Sequence, residues 1–214
     1  MSAAQIAAMR EEYMATRLDE ADAADDPIVQ FQAWFQDAVN AKLPMLNAMT
    51  LATASSEGRP AARMVLLKGV DARGFVFYTD YQSRKAHELD ENARAALLFY
   101  WVELEREVRI EGAVEKTTLE ETQAYFKTRP VGSRLAALTS VQSSVVPDRQ
   151  SLEHRYAEIE KMHGAAPPCP PTWGGYRVAP ETIEFWQGRA NRLHDRLLYT
   201  RSENDGWKIV RLSP

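Results

Sequence analysis

Residues 47–79 read NAMTLATASSEGRPAARMVLLKGVDARGFVFYT. Three short runs rich in apolar and β-branched residues, 47–55, 61–70 and 74–79, are separated by SEGRP and DARG. Both separators read as hairpin turns, because Gly, Pro, Asp and Ser supply the backbone angles a reversal needs. Strands joined directly by turns make a meander. A meander argues against a parallel strand–helix–strand sheet and for an antiparallel barrel with helices packed outside it.

The pattern continues downstream. Residues 84–91 read as a short helix, 95–103 and 107–115 as strands, and Thr118 with Glu121 as a capping box ahead of a helix that Pro130 ends. Residues 152–162 form another amphipathic helix candidate, followed by the stiff Pro167-Pro168-Cys169-Pro170-Pro171 loop. Four closing strands are predicted over 173–178, 182–187, 194–200 and 207–212, with Asn204-Asp205-Gly206 as the last hairpin turn. Upstream, 3–14 is rich in helix formers, and Asp26-Pro27 gives an N-cap followed by proline at the first helical position. From there Ile28, Phe31, Trp34, Phe35 and Val39 recur at helical spacing as one apolar face. The acidic run between these helices reads as a solvated linker. Residues 1–26 are therefore expected to be a helical segment and acidic linker, and 27–214 a single domain of mainly-β, α+β class.

Composition narrows the function classes. The 214 residues carry 26 Lys plus Arg against 30 Asp plus Glu, a formal net charge of −4, which disfavours nucleic-acid binding. Cys169 is the only cysteine, so an intramolecular disulfide framework is excluded. No run approaches the roughly 18–20 apolar residues of a membrane helix, and MSAAQIAAMREEY does not read as a signal peptide. A cytoplasmic protein with no membrane partner is expected. There is no G-x-G-x-x-G, P-loop or G-x-S-x-G motif, and the four histidines show no close ligand spacing, so no metal centre is expected.

What remains is a local excess of cations. Residues 59–85 hold Arg59, Arg63, Lys68, Arg73, Arg84 and Lys85 against Asp71 and Asp80, a local +4. In an extended strand Met64, Leu66 and Lys68 face one way and Arg63, Val65 and Leu67 the other. Such a strand suits a flat ring with an anionic tail; it also reads as an ordinary barrel strand with exposed charged ends. The strand end Tyr78-Thr79-Asp80 and the helix start Ser83-Arg84-Lys85 sharpen the choice, since a helix N-terminus favours a phosphate. Near the end of the chain, Arg192, His194 and Arg196 share one face if their strand is regular, a costly arrangement unless something anionic or polar meets it.

Here a resemblance enters. IEFWQGRANRLHDRL, residues 183–197, resembles the signature of the pyridoxine/pyridoxamine 5′-phosphate oxidases, FMN enzymes that make pyridoxal 5′-phosphate. RMVLLK at 63–68, FYTD at 77–80, SRKA at 83–86, YFKTRP at 125–130 and QSS at 142–144 resemble the family in the same order, and the likeness runs from Arg10 to Pro214. It implies an FMN-binding split β-barrel and a homodimer with FMN at the interface. By resemblance, FMN contacts come from Arg63, Met64, Val65, Leu66, Leu67 and Lys68. Tyr78, Thr79, Arg84 and Lys85 follow, then Gln142, Ser143, Trp186 and Arg196. Substrate contacts are Lys68, Tyr125, Arg129, Ser133, Arg192 and His194, and Arg10, Glu11, Glu12 and Tyr13 form a mobile lid.

Helical spacing agrees in part, because it puts Tyr125 and Arg129 on one face. Each alone also reads otherwise, Tyr125 as a packed aromatic and Arg129 as a cation on its helix's last carbonyls. Two positions depart from the family. Glu107 stands where a glutamine is usual at an expected flavin contact, and a carboxylate there would repel reduced flavin or raise its own pKa. Leu138 stands where tryptophan is common, a matter of packing. The implied reaction is oxidation of pyridoxamine or pyridoxine 5′-phosphate at C4′ by FMN. O2 is the acceptor, hydrogen peroxide the by-product, and ammonia leaves from the amine. Arg192 and His194 are the expected catalytic residues nearest the reacting carbon. Alternatives on the same barrel are a non-catalytic flavin or pyridoxal-phosphate binder and a reductase using another substrate or a deazaflavin. The intact 192–196 segment favours the oxidase.

Overall fold

The computed structural model describes residues 13, 17–202 and 206–214. The predicted 3–14 helix, the candidates Arg10, Glu11 and Glu12, and Asn204 and Asp205 of the predicted last turn lie outside the described residues, with Tyr13 alone described in the 3–14 range. In chain order the elements are α1 Pro27–Asn40, β1 Ala48–Ala54, β2 Pro60–Leu66, β3 Gly69–Asp71, β4 Gly74–Asp80, α2 Arg84–Glu91, β5 Arg94–Trp101 and β6 Arg106–Lys116. Then come α3 Leu119–Thr128, α4 Val131–Thr139, α5 Arg149–His163, β7 Trp173–Gln187, β8 Asp195–Arg201 and β9 Trp207–Arg211. The strands form one sheet in the order β2-β1-β5-β6-β7-β4-β3, with β8 on β7 and β9 on β8. The expected class, mainly antiparallel β with flanking helices, is the one observed. Among the described residues no helix is long and apolar enough to cross a membrane.

The chain divides into two compact units, one of Met1–Met49, Leu97–Glu111 and Glu181–Pro214, the other of Thr50–Ala96 and Gly112–Pro180. In the first, Asp26 caps α1 by accepting a hydrogen bond from Ile28 N at 2.7 Å, with Pro27 at the first helical position. The helix buries Ile28, Phe31, Trp34 and Ala38. Phe31 packs on Phe99 with ring centroids 5.1 Å apart, and Trp34 meets Phe185 edge-on at 5.2 Å. Val39 was expected on this face but is exposed, because it lies at the edge of the stripe in the last turn. Predicted strand 194–200 begins instead at Asp195. Ala190–Arg192 is a 3-10 turn with Asn191 at φ 57° and Arg192 at φ 63°, so Arg192, His194 and Arg196 do not share one strand face.

In the second unit, the predicted 61–70 strand is broken after Leu66, and Gly69–Asp71 forms a hairpin with β4 in the register Gly69↔Val76 to Asp71↔Gly74. Lys68 therefore stands at a bend, outside the alternation of Met64 and Leu66. The Thr118–Glu121 capping box forms as expected. Glu121 does more, because its Oε1 also accepts from Arg177 Nη2 at 2.9 Å. Arg177 is 3% exposed and also donates to Asp71 Oδ1 at 2.8 Å, so a buried cation ties α3 to the sheet. Helix α4 was not predicted: Pro130, which ends α3, is also the N-cap of the next helix. The two predicted strands 173–178 and 182–187 are one strand, β7. Its first part pairs with β4, from Phe75↔Val178 to Asp80↔Trp173, and its later part pairs with β8. Pro180 falls between these two ladders, where its missing N–H costs no hydrogen bond to β4 or β8.

Gly74 lets β4 and β7 approach. Its φ is 135°, and a β-carbon built there would lie 2.0 Å from the Val178 carbonyl oxygen. Gly74→Ala is therefore expected to lower unfolding free energy by about 2 kcal/mol or more. Urea unfolding measures it, and a loss below about 0.5 kcal/mol would refute the close approach.

Candidate functional site

The second unit contains a cavity of about 610 Å³ whose walls come from β2, β4, α3 and α4. Met64, Val65, Leu66 and Lys68 line it from the β2 side, and Tyr78, Thr79 and Lys85 from the end of β4 and start of α2. Tyr125, Arg129, Ser133 and Gln142 complete the sequence-predicted lining. Aromatic stacking sets one wall: the Tyr78 ring lies 4.1 Å from Tyr125 and 5.3 Å from Trp173, nearly parallel to both. Trp173 and the α4 residues Ala136 and Ala137 were missed by the sequence reading. Only the unpredicted helix brings those two alanines to the wall; the tryptophan after the proline run carried no signal of its own.

Among the described residues, three cations in this lining make no ion pair with a carboxylate. Arg129 lies 4.5 Å above the Trp173 ring, and its Nη1 is buried without a hydrogen-bond partner. It is the C-cap of α3 and so extends beyond the helix rather than sharing a helical face with Tyr125. Burial pushes its pKa down, yet a guanidinium stays charged at any ordinary pH. Lys85 Nζ donates only to neutral oxygens, Gln142 Oε1 at 2.6 Å, Thr79 Oγ1 at 3.1 Å and Ser83 Oγ at 3.3 Å. Burial first and Arg63 second push its pKa down. The nearby Asp80 is occupied by the backbone N–H groups of Gln82 and Gln142, at 2.8 and 3.2 Å. Lys68 is exposed at the rim and makes no ion pair among the described residues. A buried, unpaired guanidinium N–H beside an apolar wall fits an anionic group carried on a flat ring.

Other predicted residues lie elsewhere. Arg63 donates to Glu88 Oε2 at 2.8 Å and to Thr53 Oγ1, binding β2 to α2 instead of lining the cavity. Arg84 is held by Glu88 Oε1 at 2.8 Å and, with Ser143, lines a separate groove of about 400 Å³. Leu67 is buried. Burial alone would raise the Glu88 carboxyl, but hydrogen bonds from Thr53, Arg84 and Arg63 hold it below the usual range.

The first unit gathers a second set. The Trp186 and His194 rings lie 4.6 Å apart, and Tyr13 meets both edge-on, at 5.4 and 5.2 Å. His194 Nδ1 accepts from Arg189 N at 3.1 Å, which assigns the ring proton to Nε2. Burial, then Arg192, pushes the His194 pKa down. Arg196 Nε donates to the buried Glu184 at 2.7 Å, and Arg109 holds the other oxygen of that carboxylate. Burial and the nearby Glu184 push the Glu107 carboxyl up. Among the described residues no group of three or more His, Cys, Asp or Glu is placed to hold a metal ion.

A family profile described as pyridoxamine 5′-phosphate oxidase matches residues 35–163. A second, the pyridoxine 5′-phosphate oxidase C-terminal dimerisation region, matches residues 173–214. The chain is 58% identical over 211 residues to a pyridoxine/pyridoxamine 5′-phosphate oxidase of Burkholderia cenocepacia (strain HI2424), covering 98% of this chain and 99% of that one. It is 59% identical over 210 residues to the enzyme of the same name from Paraburkholderia phytofirmans, with the same coverage. Among solved structures it resembles PhzG from Burkholderia lata 383, in complex with tetrahydrophenazine-1-carboxylic acid. There the TM-score is 0.88 and the identity 35%, over 94% of this chain and 99% of PhzG. A pyridoxamine 5′-phosphate oxidase-related, FMN-binding protein from Nostoc punctiforme PCC 73102 shares the fold. Its TM-score is 0.71 at 19% identity, covering 88% of this chain and 98% of that one.

Glu88 offers a check on the electrostatics that position β2 and α2. Its folded pKa lies below its unfolded one, so its contribution is complete above the ordinary carboxylate range and is lost as pH falls through the folded value. Glu88→Gln is expected to cost about 1–3 kcal/mol near neutral pH and to flatten the loss of stability on acidification. Urea unfolding from about pH 6 to about pH 3 reads this slope, and equal slopes in the two proteins would refute it.

Proposed function

The chain belongs to the pyridoxamine 5′-phosphate oxidase family, and on that premise we propose that it oxidises pyridoxamine 5′-phosphate and pyridoxine 5′-phosphate to pyridoxal 5′-phosphate in the cytoplasm. It is an oxidoreductase of the antiparallel split-barrel class, and FMN is its cofactor. The chemistry that FMN would supply when bound is two-electron oxidation at C4′ of the vitamer, with O2 reduced to hydrogen peroxide; for the amine substrate, water would hydrolyse the resulting imine to the aldehyde and release ammonia.

The observation that carries this reading is the unneutralised cation set. Arg129, with its buried Nη1 unpaired, Lys68, Tyr125 and Ser133 make a cradle for the phosphate of the vitamer. Lys85, Thr79 and Gln142 with the 64–66 strand are the groups suited to hold FMN, its phosphate nearest Lys85. The Tyr78–Trp173–Tyr125 wall excludes water from the apolar side of the rings. Arg192 holds the pyridine ring, and His194 donates its Nε2–H to the ring hydroxyl or the C4′ substituent. Arg10, Glu11, Glu12 and Tyr13 close over the substrate, while Trp186, Arg196, Glu107, Arg63, Arg84 and Ser143 serve the cofactor side. The protein acts as a homodimer with FMN at the interface, in line with the dimerisation region matched by residues 173–214.

A second reading is oxidation of a fused-ring carboxylic acid, favoured by the likeness to PhzG. One assay separates them. FMN-loaded protein incubated in air with pyridoxamine 5′-phosphate is expected to yield pyridoxal 5′-phosphate and peroxide in equal amounts. Absence of product, or turnover only of tetrahydrophenazine-1-carboxylic acid, would reject the vitamer reading. Arg129→Met is expected to raise KM for the phosphorylated substrate about 10–100-fold with a smaller change in kcat. Arg192→Ala is expected to lose most of kcat/KM while the protein stays yellow, and near-native turnover would remove Arg192 from its role.

A further inference from the structure

A dense set of ion pairs lies in the first unit, around Arg211 at the end of β9. Its Nε and Nη2 grip both oxygens of Glu20, at 2.9 and 2.7 Å. Nη2 also reaches Asp19 Oδ1 at 3.3 Å and the Leu18 carbonyl at 3.1 Å. Nη1 donates to Asp195 Oδ1 at 2.7 Å, and the other Asp195 oxygen accepts from Leu18 N at 3.0 Å. One guanidinium and one carboxylate thus fasten residues 18–20 to the first residue of β8, next to His194. Hydrogen bonding from Arg211 also holds the Glu20 carboxyl down at about 2, so this fastening persists through mild acid.

Tyr13 lies only a few residues upstream of Leu18, and its seat is specific. A β-carbon on Gly188 would fall 2.6 Å from Tyr13 Cδ1 and 2.9 Å from Cγ, so the ring rests on a backbone that admits no side chain. Trp186 and His194 flank it edge-on. The clasp and the seat meet at the start of β8: Asp195 is held by Arg211, and His194, the residue before it, meets the Tyr13 ring.

We propose that Arg211 is a positioning residue for substrate retention: by clasping Asp195 to residues 18–20, it holds the Tyr13 ring in the Gly188 seat beside His194. The inference rests on the oxidase reading, in which His194 meets the vitamer. It adds that the seating of the Tyr13 ring is set by an ion-pair clasp from β9. Release of the clasp loosens substrate binding and leaves the chemical step intact.

The test uses the full-length FMN-loaded protein with Arg211→Ala, Arg211→Lys, Glu20→Gln and Gly188→Ala. Three quantities are read: the NMR shift of the His194 ring, which the edge of Tyr13 perturbs, the rate of tryptic cleavage after the exposed Arg17, and the KM-against-kcat split. Arg211→Ala is expected to speed cleavage and raise KM about tenfold each, with kcat within about twofold, and to move the His194 signal. Glu20→Gln, a surface change that keeps Arg211 and its fold contacts, gives the same direction at smaller size, and Arg211→Lys restores part of the loss. Gly188→Ala moves the His194 signal and KM but leaves cleavage at Arg17 unchanged. Unchanged cleavage in both Arg211→Ala and Glu20→Gln overturns the clasp; faster cleavage with an unmoved His194 signal or an unmoved KM overturns its role in positioning Tyr13. A wild-type protein inactive on both vitamers sinks the oxidase reading alone, because the NMR and proteolysis measurements still decide the clasp.

Discussion

Strand β7 gives Trp173 to Val178 to β4 and Thr182 to Gln187 to β8, and Pro180, with no N–H to give, stands between the two ladders. A strand that changes partner partway along must be long, must tolerate a break in hydrogen bonding, and must carry side chains suited to two environments. β7 meets all three conditions. Its first part brings Trp173 to the cavity wall and Arg177 to the carboxylates that fix α3. Its last part aligns Trp186 with Arg196 and ends at Gly188, against which Tyr13 rests. Without the change of partner, each unit would lose the strand that orders its functional side chains.

Charge is the second organising constraint. Several arginines are neutralised by buried or half-buried carboxylates: the sequence candidates Arg63 and Arg84 by Glu88 and Arg196 by Glu184, together with Arg109 by Glu184 and Arg177 by Asp71 and Glu121. A buried ion pair contributes little net stability, but removing one partner is costly, so these pairs fix geometry more than they add free energy. In the cavity lining, Lys68, Lys85 and Arg129 make no ion pair with a carboxylate among the described residues. The net −4 of the chain is thus compatible with a cation-lined cavity, because many of the acids pair with arginines elsewhere.

Much of this was legible in the sequence where the cause is local. The N-cap at Asp26, the capping box at Thr118 and Glu121, the 84–91 helix and the hairpin turns at Gly58 and Gly74 follow from residues within a few positions of each other. What was not legible depends on distant partners. Nothing near Arg63 announces Glu88, and nothing near Pro180 shows that the strand continues with a new neighbour. The α4 helix was hidden because Pro130 reads as a terminator while also serving as a start. The presumed row of Arg192, His194 and Arg196 failed for a local reason that sequence periodicity does not carry: two consecutive residues with left-handed backbone angles replace the first part of the strand by a turn.

That turn has a chemical consequence through Arg189. Its backbone N–H points at His194 Nδ1, so the imidazole has one nitrogen spent as an acceptor and only the other left to face a ligand. At Nε2 the ring is a donor whether neutral or protonated. An alcohol oxygen can accept from such a nitrogen directly, whereas an amine can do so only after giving up its extra proton. A preference between oxygen and nitrogen at the reacting carbon, and its drift with acidity, would then be governed by one main-chain amide, a group that substitution of side chains leaves in place.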